Sequence, residues 1–99
     1  MNDVDITGMT LEAMQTRAAA LRSDIVQTPV VTLSSPMVDE VLGGARVALK
    51  LECFQHTGTF KARGALSVAR QLDDDTRGRG ITAASAGNHA IAAGWAAAK

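Results

Sequence analysis

The residues "HAIAAGWAAAK", 89–99, constrain this chain more than any other stretch. They read as a helix with almost no polar face, and such a helix is expected to be buried on all sides. Just before it, "ITAAS", 81–85, reads as a short apolar strand and "AGN", 86–88, as a turn. Further upstream "RVALKLE", 46–52, alternates Val47, Leu49 and Leu51 against Arg46, Lys50 and Glu52, the pattern of a strand with one buried face. A helix is predicted over 60–72, followed by a polar loop, "DDDTRGRG". The order strand, helix, strand, helix predicts an α/β domain with a parallel sheet. Two strands make no stable parallel sheet, because such sheets need helices over both faces. Nothing follows Lys99 to cover the last helix. The expectation is therefore an incomplete part of a larger fold.

The first half is organised by its caps. Residues 1–9 are expected to be a loose tail. Leu11, Met14, Ala18 and Leu21 form an apolar stripe on a helix over 11–22, with Thr10 as its cap and Glu12 in its first turn. Pro29 forces "QTPVVTL" into an extended path. In "SSPMVDEVLGG", Ser35 is placed to cap a short helix, Pro36 to open it and Gly43 to stop it.

Composition narrows the class. The chain is 46% hydrophobic and 20% charged, as in a globular protein. Ten basic residues balance ten acidic ones, so nothing points to a nucleic acid or an anionic membrane as partner. Cys53 is the one cysteine and fits a reducing cytoplasm. The acidic start "MNDVDITGMT" is not a signal peptide, and no apolar run approaches the ~20 residues of a membrane span. Arg63, Arg70 and Arg77, spaced by seven, read as a solvated face balanced by Asp73, Asp74 and Asp75.

Lys61 stands out within "QHTGTFKARGALSVARQL", 55–72. A helix wheel places it on one face with Ala65, Val68 and Leu72, the predicted core stripe. It also falls in the first helical turn, where unpaired N–H groups make the environment positive. Burial and the helix terminus would both disfavour an ammonium, and a neutral lysine is a nucleophile suited to Schiff-base chemistry. The other reading is a snorkelling lysine with its charge in water. The turn "SAGNHA", 85–90, bears on the choice. Its small residues can aim N–H groups and the Ser85 hydroxyl outward at a helix N-terminus, an arrangement suited to a carboxylate or phosphate.

Together, "KLECFQHTGTFKARGA" and "ITAASAGNHAIAAGWAA" resemble the pyridoxal-phosphate enzymes of the tryptophan-synthase-β-like class (fold type II), in particular the serine/threonine dehydratase branch. The family shows a Lys-Leu-Glu strand, a Thr-Gly-Ser/Thr-Phe-Lys-x-Arg-Gly-Ala helix start and an Ala-Ser-Ala/Ser-Gly-Asn-His-Ala/Gly turn. Both motifs stand here in order, and the likeness runs from about residue 10. It implies a two-domain open parallel-sheet fold with helices on both faces, of which 10–99 would be the N-terminal part.

The resemblance also implies roles. Lys61 matches the lysine that carries pyridoxal 5'-phosphate and shuttles the α-proton. Phe60 is expected near the cofactor ring, with plain core packing as its other reading. Asn88 matches the asparagine that hydrogen-bonds the cofactor's phenolic oxygen. Ser85, Ala86, Gly87 and His89 lie in the turn that would hold the substrate carboxylate. No metal is implied. The reaction would be dehydration and deamination of a hydroxy amino acid, such as threonine or serine, by the full-length parent. An inactive fragment, a serine racemase and a hydroxyaspartate ammonia-lyase are the alternatives. Ala62 stands where threonine synthases carry aspartate, and Phe60-Lys61 differs from the Val-Lys of cysteine synthases. Ala86 stands where serine racemases place a second serine, and it has no proton to exchange. His56 reads as a solvated loop histidine, and Thr59 keeps a hydroxyl that can cap the helix. The family's glycine-rich phosphate loop has no counterpart in these 99 residues. The parent is expected to be a cytoplasmic homo-oligomer acting on a small amino acid.

Overall fold

The computed structural model describes residues 8–99. The tail expected over 1–9 lies, up to residue 7, outside the described residues. Helix α1, Leu11–Leu21, begins where Thr10 Oγ1 accepts a hydrogen bond from the Ala13 N–H at 3.1 Å. Strand β1, Val30–Leu33, follows Pro29. Helix α2, Pro36–Val41, is capped by Ser35, whose Oγ accepts from the Val38 N–H at 3.2 Å. Gly43 and Gly44 then take φ of 58° and 78°, a left-handed pair that turns the chain toward β2, Val47–Lys50.

Strands β1 and β2 pair antiparallel, with Val30 opposite Lys50 and Leu33 opposite Val47. The Leu51 N–H donates to Pro29 O at 2.9 Å and extends the ladder by one rung. Two short 3-10 turns, Glu52–Phe54 and His56–Gly58, lead to helix α3, Lys61–Gln71. After α4, Asp74–Arg79, an extended segment reaches α5, Asn88–Ala97.

Helices α3 and α5 pack on each other. Ala62 of α3 and Ala92 of α5 are fully buried, and such small residues let two helices approach closely. Leu66 of α3 and Ala96 of α5 join Leu21 and Ile25 from the end of α1 in one cluster, flanked by Ala65, Ala69 and Trp95. The Arg70 guanidinium ties α3 to α1, donating to Ala20 O at 2.8 Å and pairing with Asp24.

Several sequence expectations change. The stretch 73–80 is not a loop throughout. Asp73 accepts from the Thr76 N–H at 2.7 Å and caps α4, and Asp74 and Asp75 favour its N-terminal dipole. Residues 81–85 have no strand partner among the described residues, and the two-stranded sheet that forms is antiparallel. The β2 face expected to be buried is covered only in part: Val47 and Leu51 are half-buried and Leu49 is exposed. Helix α5 buries one face only, against α3, and Ile91 on its other side is 56% exposed. No helix among the described residues is long and apolar enough to cross a membrane.

Candidate functional site

The loop from β2 to α3 carries the lysine, and it is held at several points. Glu52, two residues past β2, receives two hydrogen bonds from Arg63 of α3, Nε to Oε2 at 2.7 Å and Nη2 to Oε1 at 2.8 Å. The buried Thr28 hydroxyl donates to Glu52 Oε1. Lys50 Nζ lies 3.8 Å from the same oxygen and donates to Thr28 O at 2.9 Å. The Arg63 guanidinium, then the Thr28 hydroxyl, hold the Glu52 carboxyl down to a pKa of about 2, against the opposing effect of its partial burial.

Gln55 makes the second attachment. Its buried side chain accepts from the Val26 N–H at 2.9 Å and donates to Val26 O at 2.8 Å, as a neighbouring strand would. His56 makes the third. Its ring stacks on Trp95 of α5, centroids 5.1 Å apart and planes inclined by 23°. His56 is exposed, as expected of a loop histidine, and the stack is what the sequence did not show. Beyond it the backbone turns left-handed at Thr57, φ 65°, and Gly58, φ 76°. A β-branched residue there carries strain of ~1–3 kcal/mol. The Thr57 Oγ1 is buried without a protein partner.

Lys61 is the first residue of α3. Its N–H lies 3.4 Å from Thr59 Oγ1, a weak form of the expected cap. Its Nζ sits 5.3 Å from the Phe60 ring centroid, a cation–π contact. No ion pair among the described residues involves Lys61. The wheel reading of its face is corrected. α3 turns Ala62 and Leu66 inward, whereas Val68, on the Lys61 face, is 61% exposed. That face lines an open groove of about 610 Å³ between α3, α5 and the segment 80–83. Phe60, Lys61, Val68, Ile81, His89 and Ala93 are among its lining residues.

Of the residues singled out from the sequence, the groove thus gathers Phe60, Lys61 and His89. Ser85, Ala86, Gly87 and Asn88 are not part of its lining. They form the exposed turn before α5, where Ser85 Oγ accepts from the Gly87 N–H at 3.2 Å and Asn88 is the first helical residue. The Asn88 and His89 N–H groups precede the first backbone bond of the helix, which Ala90 makes to Gly87 O. Sequence reasoning missed Glu52 and Gln55 as supports. Their signal was two polar residues just past a strand and a few positions before Lys61, and their partners, Thr28 and Val26, lie too far back in the chain to be paired by pattern.

The donor set suits the ring end of pyridoxal phosphate. The Lys61 amine, in no ion pair among the described residues, lines a groove walled mainly by apolar side chains, beside a helix start with open N–H groups.

Comparisons with known proteins agree with one another. A family described as pyridoxal-phosphate dependent enzyme matches residues 21–99. The chain is 42% identical to phenylserine dehydratase of Ralstonia pickettii over 98 residues, 98% of this chain and 29% of that one. It is 40% identical to L-threonine ammonia-lyase of Thermotoga maritima over 82 residues, 83% of this chain and 20% of that one. Among solved structures, maize serine racemase superposes with a TM-score of 0.73 at 34% identity, over 88% of this chain and 26% of the racemase. At this identity the chain shares the fold of the part of the racemase that it covers. The chain spans less than a third of the length of these relatives.

Proposed function

Because this chain belongs to the pyridoxal-phosphate dependent enzymes, we propose that residues 10–99 are the N-terminal part of an enzyme that eliminates water from a hydroxy amino acid such as threonine or serine, after which a water hydrolyses the released imine and ammonia leaves. The net products are a 2-keto acid and ammonia. The observation that carries this reading is Lys61, an amine without a carboxylate partner among the described residues, set at the start of α3 in the groove. When bound, the cofactor supplies an electron sink for the charge left at Cα.

The chain's own residues then have distinct tasks. Lys61 Nζ holds the cofactor, takes the substrate's α-proton and returns a proton. Phe60 and the apolar wall exclude water beside the ring. The Asn88 side chain donates to the cofactor's phenolic oxygen. The Ser85 hydroxyl and the turn from Ala86 to His89 receive the substrate carboxylate, chiefly through the Asn88 and His89 N–H groups, since the Gly87 N–H donates to Ser85 Oγ; a helix N-terminus favours an anion. Elimination is favoured over racemisation because Ala86 offers no proton on the opposite face. The names of the dehydratase and ammonia-lyase relatives support the same reaction class. The phosphate-binding loop and the partner of the pyridine nitrogen belong to the remainder of the enzyme. The isolated 99-residue chain therefore has little or no activity. The whole enzyme is cytoplasmic and homo-oligomeric, with no nucleic acid or membrane partner.

The test is to incubate the full-length protein and the cofactor with L-threonine or L-serine and assay 2-keto acid and ammonia. Stoichiometric formation of both, lost in Lys61→Ala, is expected. Racemised amino acid without keto acid would overturn the elimination reading and favour the racemase alternative.

A further inference from the structure

The attachments around Lys61 are unequal in strength. Gln55 and His56 hold the middle of the loop, through an amide pair and a ring stack. Among the described residues only the Glu52–Arg63 pair joins the segment just past β2 to the first turn of α3 by a side-chain ion pair, and Lys61 lies two residues before Arg63. The pair is a two-point fork, and a fork fixes direction as well as distance. The Thr28 hydroxyl donates to Oε1, the oxygen that also accepts from Arg63 Nη2, and the Arg63 Nη2 also reaches Val26 O at 3.5 Å. Each partner is partly withdrawn from water, with side-chain exposures of 29% for Arg63 and 17% for Glu52. The ion pairs within α4 are far more open: Arg79 and Asp75 are 72% and 83% exposed.

The placement matters because α3 enters without a strong side-chain cap. Its N-cap position, Phe60, has no hydroxyl or carboxylate to give, and the Thr59 contact is long. The loop before it is strained at Thr57. A strained, weakly capped helix start has few restraints of its own on the direction of its first side chain. We propose that Glu52 is a positioning residue for Lys61, its fork to Arg63 setting the direction in which α3 presents the lysine to the groove. This rests on the elimination reading, in which Lys61 holds the cofactor and moves the α-proton. A small change in that direction costs rate more than affinity, since the substrate carboxylate is received elsewhere, at the turn before α5.

The experiment uses the full-length holoenzyme, L-threonine as substrate and three variants: Glu52→Gln, Arg63→Lys and Thr28→Val. Arg79→Ala, which breaks an exposed pair, is the control. Borohydride reduction and peptide mapping of the parent protein come first. Glu52→Gln keeps the shape and one acceptor but loses the charge. It is expected to lower kcat about tenfold or more, with KM changed less than about threefold, and to alter the visible circular dichroism of the bound cofactor. Arg63→Lys keeps the charge but loses the fork, and the same split is expected without rescue. Thr28→Val removes only the third bond and should give a smaller change of the same sign; it decides the matter if the other two do not fold. Folded variants with kcat within twofold of the parent and an unchanged dichroism band overturn the positioning role alone. A parent protein labelled on another lysine overturns the elimination reading and this inference with it.

Discussion

At Glu52 two carboxylate oxygens meet Arg63, Thr28 and Lys50. The ordinary glutamate value near 4.5 falls to about 2, chiefly through the Arg63 fork. A folded-state value below the unfolded one means that the ionised form stabilises the fold. That stabilisation is complete above about pH 4.5 and is lost as the pH falls through about 2. After allowance for solvent screening it is on the order of 2 kcal/mol. Denaturant midpoints of the parent protein and Glu52→Gln should therefore differ most at pH 6, draw together below about pH 4.5 and converge only near pH 2. A difference that grows on acidification would contradict this account. Lys61 was legible as chemistry at this scale, because its motif survives any error in the wheel. Its environment was not legible, since exposure depends on which face the neighbouring helix selects.

Among the elements, local chemistry set the boundaries. Thr10, Ser35, Pro36 and the glycines at 43 and 44 act within a few residues of where they stand, and each was readable. Packing was not. The wheel joined Ala65, Val68 and Leu72 to Lys61, yet α5 brings alanines to α3 and selects the neighbouring face with Ala62 and Leu66. The α4 helix was hidden because Asp and Gly read as loop, although Asp73 makes a sound cap. The packing account has a direct check in paired truncations. Leu66→Ala removes a side chain that is 1% exposed and is expected to cost ~2–5 kcal/mol. Val68→Ala, on the open groove wall, is expected to cost within about 0.5 kcal/mol. Denaturant unfolding of the two variants measures both. A costlier loss at Val68 would restore the original wheel face.

At the scale of the molecule, part of the exposed apolar surface gathers at the candidate site. Phe60, Val68, Ile81 and Ile91 are all substantially exposed, and the first three line the groove that holds Lys61. Exposed apolar side chains clustered around one amine suit a bound planar ring better than open water. The turn from Ser85 to Asn88 stands outside that lining, so the motif named the residues without showing how they converge. The chain's share of its relatives, 29% for the phenylserine dehydratase, also leaves most of any complete site to other segments. The central claim is that Lys61 holds the cofactor, and one measurement addresses it most directly. The full-length protein is loaded with pyridoxal phosphate, reduced with borohydride, digested and mapped by mass spectrometry. The account expects the pyridoxyl group on the peptide containing Lys61, with Lys50 and Lys99 unmodified. A label on another lysine, or none, would contradict it.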